Sequence, residues 1–314
     1  MMLNTAVKIK EILDRYVVGH NDIKEGLLLA LIAREHVYIE GAPGTAKTML
    51  AELTAKAANL NFYFYQFHRD TRLSELIGDY IICREPQSGN GGGELISQRL
   101  IPGGILTAQL VVLDDITRAP GEALNIMLRL LNEREYKGAR LPLLTAIATS
   151  NPTQDDYYNE PLDLANLDRF TIQLKSSGLI NRGNWEDAIS VMDYYTEHIF
   201  DKDTVEGFKG DLFQQPGRYL LDIKVGAKVK QQLITFLEHL ITNFNLNETN
   251  SLLTDRTFLV KAISILKAKA ILEGRTEVVP GDLSVLKYLM TFRVPPEVAQ
   301  RIDEILVDLV EKKN

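Results

Sequence analysis

The chain has 314 residues, 35 Lys plus Arg against 42 Asp plus Glu for a net charge of −7, 45% hydrophobic content and one cysteine. Average globular usage of charged and apolar residues excludes a disordered, collagen-like or coiled-coil chain, and the length accommodates one large or two ordinary domains. The longest wholly apolar run, Leu27 to Ala33, falls far short of the roughly 20 residues that span a bilayer, the lone Cys83 forbids an internal disulfide and fits a reducing, cytoplasmic compartment, and the acidic balance speaks against a nonspecific nucleic-acid coat.

The amphipathic N-terminal stretch through Tyr16 lacks the apolar centre and small-residue cleavage site of a signal peptide. In chain order, a helix is expected over Asp22–Arg34, a strand over His36–Glu40, a helix over Lys47–Asn59 and a strand over Phe62–Phe67. A glycine-rich stretch from Cys83 to Gly104, with its tip at Gly89–Gly93, has the composition of a hairpin insertion. Strand-like runs follow at Leu110–Ile116, Leu143–Asn151 and Phe170–Leu174, with a helix over Glu122–Glu135 and a short hairpin signal at Tyr136–Arg140. These runs are continuously apolar, which is the mark of strands covered on both faces in a parallel sheet. After the linker candidate Lys175–Gly178 the apolar spacing becomes helical over Trp185–Phe200, Val225–Phe244, Asp255–Glu273, Gly281–Phe292 and Pro296–Val310, with a loop at Gly207–Gly217. The expected architecture is therefore α/β: a doubly wound, mainly parallel five-stranded core over residues 1–178, then an all-helical domain over 179–314.

Between the first strand and the next helix stands Gly41-Ala42-Pro43-Gly44-Thr45-Ala46-Lys47-Thr48. It follows the phosphate-loop pattern G-x-x-x-x-G-K-[ST] except for Ala46 in place of the second glycine. Small residues let successive backbone N–H groups close on phosphate oxygens at a helix N-terminus, Lys47 reaches the β- and γ-phosphates, and Thr48 is placed for Mg2+. The Cβ of Ala46 is tolerable if that residue is already helical. A nucleotide hydrolase also needs carboxylates at a neighbouring strand end, and Asp114 and Asp115 stand there as metal partner and water-polarising base. Asn151 ends the fourth strand, where an amide could orient the water; taken alone, its Asn-Pro pair is a turn signal. Arg169 opens the fifth strand and Arg256 begins a C-terminal helix; taken alone, the first is a surface ion pair and the second a solvated first-turn residue.

Together these motifs resemble the AAA+ ATPases, and within them the MoxR family. The resemblance rests on VVGHNDIKEGLLLAL, GAPGTAKT, ELIGDY, LIPGGILTAQLVVLDDITRAP, LNEREY, IATSNP, EPLDLANLDRF and VVPGDL, and runs from about Val17 to about Leu289. It implies a nucleotide-binding core and a helical lid assembled in a ring, usually a hexamer, with ATP and Mg2+ held between neighbouring subunits. By position, Lys47 and Thr48, with Gly41 through Met49 around them, match Walker A, Asp114 and Asp115 Walker B, and Asn151 sensor 1. Arg169 matches the arginine finger, Arg256 the sensor 2 arginine, and Val18 and Gly19 the segment lining the adenine pocket. Cys83–Gly104 looks like the helix 2 insert and Tyr136–Arg140 like a shortened pre-sensor 1 hairpin.

Two departures stand out. Walker B normally ends in Asp-Glu, and here Asp115 is one methylene shorter; misplacement on that scale costs about 10²-fold in rate. The usual I-N-R-A-P is Ile116-Thr117-Arg118-Ala119-Pro120. Arg118 and Arg134 stand beside Arg169 as candidates to act across a subunit boundary. The leading functional expectation is an ATP-driven remodeller of a protein client, with a von Willebrand factor A domain protein as partner. Beside it stand an ATP-dependent assembly switch with weak turnover, a nucleic-acid motor, disfavoured by the net charge, and a chelatase-type ATPase subunit.

Overall fold

The computed structural model describes residues 2–86, 94–152, 162–179, 183–197, 205–208, 217–253 and 255–311. The expected hairpin tip Gly89–Gly93 and most of the Gly207–Gly217 loop lie outside these residues. Helices α1 (Met2–Tyr16) and α2 (Asn21–Ala33) precede strand β1 (Val37–Gly41), and α3 (Lys47–Ala57) leads to β2 (Phe62–Gln66). After α4 (Leu73–Ile77), strands β3 (Gly78–Pro86) and β4 (Glu94–Pro102) form the antiparallel insertion. Then come β5 (Leu110–Asp114), α5 (Gly121–Glu133), the small hairpin β6 (Glu135–Tyr136) and β7 (Ala139–Arg140), β8 (Thr145–Ser150), α6 (Leu164–Leu167) and β9 (Ile172–Ser176).

The five apolar runs assemble into one parallel sheet in the order β2-β5-β8-β1-β9. Both faces are covered, and the pleat shows why the runs are continuously apolar. Val37, Ile39, Leu110, Val112 and Ile147 join a cluster with α2 and α3. The alternate positions Tyr38, Val111, Leu113, Ala146 and Ala148 join a second cluster with α5. The central strands β1, β5 and β8 therefore have no solvent side on which polar residues could alternate, whereas the edge strand β2 is half-buried to exposed along its length.

The C-terminal elements are α7 (Trp185–Glu197), β10 (Lys224–Val225), α8 (Ala227–Phe244), α9 (Asp255–Leu272), β11 (Glu277–Val278), α10 (Lys287–Met290), α11 (Pro296–Ala299) and α12 (Ile302–Glu311). The apolar cluster on the α2 side of the sheet continues without a break into Phe236, Leu266, Leu289 and Ile302 of these helices. Three details differ from expectation. Strands β10 and β11 form a two-residue parallel pair in the segment expected to be wholly helical, a pairing too short to leave a periodic trace. The expected helix over Gly281–Phe292 starts as a 3-10 turn at Pro280–Leu286, and that over Pro296–Val310 is split into α11 and α12. Proline at the head of each segment fits a first-turn position, where its missing N–H is not needed.

Helix α9 runs antiparallel to α2. Lys269 Nζ lies 2.7 Å from Glu25 Oε1 near the start of α2, whereas Lys261 donates to the carbonyl of Asp168, beyond the end of α2. The N-terminal end of α9 therefore sits at the amino edge of the sheet.

Candidate functional site

The parallel strands β1, β5 and β8 bring Gly41, Asp114 and Ser150 to one edge, the carboxyl edge, where open α/β sheets bind ligands. At Gly41 an added Cβ would lie 2.3 Å from the Ser176 carbonyl oxygen of β9, so only glycine lets the strands close here. The loop then passes through Gly44 at φ +80° and Ala46 at φ +59° before α3 begins. The condition for tolerating the Cβ of Ala46, that the residue be already helical, is not met: it is the left-handed residue preceding α3, a conformation in which a Cβ costs about 1 kcal/mol. The sequence pattern has glycine there for that reason.

Lys47 Nζ donates to Gly41 O at 2.5 Å, to Ala42 O at 2.9 Å and to Asn151 Oδ1 at 3.3 Å. Burial pulls its pKa below the usual lysine value, while Asp114 and Asp115 oppose the shift. Thr48 Oγ1 donates to Asp114 Oδ1 at 2.7 Å. Asp115, in the left-handed region at φ +53°, accepts from Asn151 Nδ2 at 3.2 Å on one oxygen and lies 3.6 Å from Arg118 Nε on the other. The structure therefore gathers Lys47, Thr48, Asp114, Asp115 and Asn151 around one cavity of about 320 Å³, with Pro43, Gly44, Thr45, Ala46 and Met49 completing its walls. These donors fit a magnesium nucleotide. The Thr48 hydroxyl and the Asp114 carboxylate are adjacent hard-oxygen ligands, and a Cβ built at Gly44 meets nothing within 4 Å.

A larger cavity of about 880 Å³ shares the loop wall from Ala42 to Ala46 and is closed on its far side by α7. Val18 lines it; Gly19 does not, lying beneath Asp187 of α7. Sequence reasoning missed the contribution of α7, whose Trp185, Ile189 and Met192 are exposed on the cavity side. It also missed Thr149. That buried hydroxyl donates to Asp114 Oδ1 at 2.5 Å and receives the Asp115 N–H at 3.4 Å, tying both acids to β8. Strand parity puts Thr149 on the same face as Ile147, toward α3, but gives no sign of the contact with Asp114.

Of the candidate arginines, Arg118 reaches this site, whereas Arg169, Arg256 and Arg134 do not line it. Arg169 opens β9 at the amino edge, as the parallel pairing of β9 with β1 requires. Among the described residues its Nη1 has one partner, Leu128 O at 3.4 Å, and its buried Nε has none. Arg256 is exposed in the first turn of α9, roughly 7.5 Å along the helix from Lys261, and lines neither cavity. It therefore lies toward the edge that carries Arg169, away from its own Lys47. Arg134 is held by burial and donates to the Arg34 carbonyl. Arg118 is paired with its own chain's Asp115. Another unanticipated residue is His36, fully buried at the start of β1. Its Nε2–H donates to Leu131 O at 2.9 Å, its Nδ1 accepts from Ala146 N–H at 3.0 Å, and burial followed by the nearby Arg134 charge pushes its pKa down to about 3.

Residues 3–189 match the profile of the MoxR domain found in MoxR–vWA–β-propeller ternary systems, and residues 229–306 match an AAA lid domain. Among curated relatives, YeaC of Bacillus subtilis is 26% identical over 92% of this chain and 85% of its own length. The chaperone MoxR1 of Mycobacterium tuberculosis is 30% identical over 51% of this chain and 41% of its own length. A crystal structure of a provisionally assigned ATPase from Cytophaga hutchinsonii superposes with a TM-score of 0.73 at 20% identity, covering 100% of this chain and 95% of the other, which establishes the shared fold. With the strand order, the phosphate loop and the helical lid, the chain belongs to the MoxR family of AAA+ ATPases.

Proposed function

We propose that this protein hydrolyses ATP at the boundary between neighbouring copies in a ring, a hexamer by family likeness, and uses the cycle to remodel a protein client. The carrying observation is the division of the machinery between the two edges of the sheet. Lys47, Thr48, Asp114, Asp115 and Asn151 converge at the carboxyl edge, while Arg169 and Arg256 are at or toward the amino edge. A chain with its acids and phosphate loop on one side and these two arginines on the other is complete, in this reading, only when copies meet head to tail, the arrangement that closes into rings.

In this reading the loop N–H groups and Lys47 hold the triphosphate, and Thr48 with Asp114 hold Mg2+. When bound, the ion neutralises charge on the phosphate oxygens. Thr149 fixes Asp114 and the Asp115 backbone, and Asn151 fixes the Asp115 carboxylate. Asp115 takes the proton of the attacking water as ADP and phosphate form. Arg169 of the next copy supplies positive charge to the γ-phosphate. Arg118 and Arg134 are poorer candidates for that role because their guanidinium groups are engaged within their own chain. The MoxR–vWA–β-propeller character of the matching profile supports a von Willebrand factor A domain partner, and the chaperone relative supports a protein client.

The test is Mg2+-dependent phosphate release by the purified full chain, with nucleotide binding measured alongside. Lys47→Ala is expected to abolish both; retained nucleotide affinity would refute the assignment of the loop. A second reading, an assembly switch that scarcely turns over, is favoured by one observation: Asp115 is held between Asn151 and Arg118. ATP-dependent oligomerisation without phosphate release would select it.

A further inference from the structure

Arg293 of the lid is 2% exposed, and each of its five N–H groups has an acceptor. Nε donates to Asp168 Oδ1 at 3.1 Å, Nη2 to Phe170 O at 2.8 Å and Asp168 O at 3.3 Å, and Nη1 to Thr171 O at 2.9 Å. Only the fifth bond, to Leu289 O at 2.6 Å, stays within the lid. Four of the five bonds thus converge on residues 168–171, the segment that carries Arg169. Lys261 of α9 adds a bond to the Asp168 carbonyl, and its ammonium lies 3.9 Å from Asp168 Oδ2. The lid grips the following strand as well: Thr291 Oγ1 donates to Gln173 O at 2.6 Å, and Phe292 N–H to Gln173 Oε1 at 3.2 Å. From the core side, Gln173 Nε2 donates to Leu167 O at 2.9 Å.

The contrast with Arg169 itself gives these bonds a purpose. The buried lid arginine uses all its donors on backbone and on Asp168, whereas the adjacent Arg169 uses one, at 3.4 Å. A planar, five-donor fork fixes a peptide segment in position and orientation, which a point charge on a flexible stem does not. Arg134, Lys261 and Arg293 lie within electrostatic reach of Glu35, and Lys261 and Arg293 of Asp168 as well. A plain staple between lid and core does not need its bonds concentrated on residues 168–171, the segment that carries Arg169.

We propose that Arg293 and Lys261 are positioning residues for catalysis in the neighbouring copy: the lid holds the 168–171 segment so that Arg169 projects at the distance the neighbour's γ-phosphate requires. The proposal rests on the reading of Arg169 as acting between copies. Its consequence is directional. A shift of one copy's lid moves that copy's Arg169 and changes turnover at the next site, not at its own Lys47.

The experiment uses full-length rings and compares Lys261→Met, Lys261→Arg, Arg293→Lys and Arg169→Ala, measuring kcat, KM for ATP and thermal stability without nucleotide. Lys261→Met is expected to lower kcat about 10-fold, a sub-ångström displacement on the scale of roughly 10²-fold per ångström, with KM for ATP within about 2-fold. Lys261→Arg, which retains a donor for the Asp168 carbonyl, is expected to restore kcat. The double variant Lys261→Met with Arg169→Ala is expected to be no slower than Arg169→Ala alone, since a positioning residue has nothing left to position. Losses that multiply in the double variant would overturn the lid proposal while leaving Arg169 in its role. Full turnover in Arg169→Ala would overturn the role of Arg169 and the lid proposal with it. Should Arg293→Lys fail to fold, the partly exposed Lys261 pair still decides the matter.

Discussion

The two edges of the sheet carry opposite chemistry built by opposite means. At the carboxyl edge, side chains hold side chains: Thr48 and Thr149 on Asp114, and Asn151 between Lys47 and Asp115. The backbone there takes left-handed turns at Gly44, Ala46 and Asp115 to aim them. At the amino edge, cationic side chains hold backbone: Arg293 and Lys261 on residues 168–171, and Arg134 on the Arg34 carbonyl. Acids and small residues line the carboxyl-edge cavity, whereas the amino edge holds Arg134, Arg169, Lys261 and Arg293 beside Glu35 and Asp168. On the proposed function, this difference is what would make a single copy an incomplete site.

The largest test of this division removes the Arg169 guanidinium. Arg169→Ala is expected to reduce turnover about 10³-fold, the low end for an arginine supplied across an interface. Mixing that variant with Asp115→Asn subunits is expected to recover part of the activity, because some boundaries then pair an intact acid edge with an intact arginine. Phosphate release as a function of mixing ratio checks this, and a flat response would place Arg169 in its own chain's chemistry.

At the opposite edge, Asp115→Glu restores the methylene missing from the Walker B acid. It is expected to raise kcat by up to about 10-fold, within the range of roughly 10²-fold for a one-ångström change. An unchanged rate would mean that the left-handed backbone at Asp115, φ +53°, already brings the shorter carboxylate into place.

His36 makes the amino edge sensitive to acid. The folded state keeps its ring neutral down to about pH 3, whereas the unfolded chain protonates near 6.5. Between those values the unfolded state binds the extra proton, so stability falls as pH drops below 6.5, by up to about 1.4 kcal/mol per pH unit. Denaturation midpoints between pH 7 and 5 are expected to decline less steeply in His36→Gln than in the wild type. The smallest effect belongs to Ala46→Gly, which removes a Cβ from a left-handed residue and is expected to stabilise the fold by about 1 kcal/mol. Its signature is a melting temperature higher by about 2 °C.

Much of the carboxyl edge was legible in the sequence because it is local. Gly41 through Thr48 is one continuous loop, and Asp114, Asp115 and Asn151 each sit at the end of an apolar run whose length marks it as a buried strand. Thr149 was not legible, since a threonine inside a strand is ordinary and only the packing of β8 beside β5 turns it toward Asp114. Helix α7 was legible from its apolar spacing, but nothing in that spacing says that it walls the cavity beside the phosphate loop. The lid's grip on residues 168–171 was hidden for a similar reason: Arg293 and Asp168 are 125 positions apart, and an arginine before Val294-Pro295-Pro296 has no motif.

The sequence by itself determined the order of elements, the parallel sheet, the phosphate loop and the acids, because buried strands and phosphate cradles impose composition and spacing on contiguous residues. Only the tertiary structure decided that Ala46 is left-handed, that Arg118 belongs to Asp115, and that Arg256 lies toward the edge of Arg169. The last of these depends on α9 lying antiparallel to α2. Such choices are set by burying a shared apolar cluster across distant segments, and no local pattern records them.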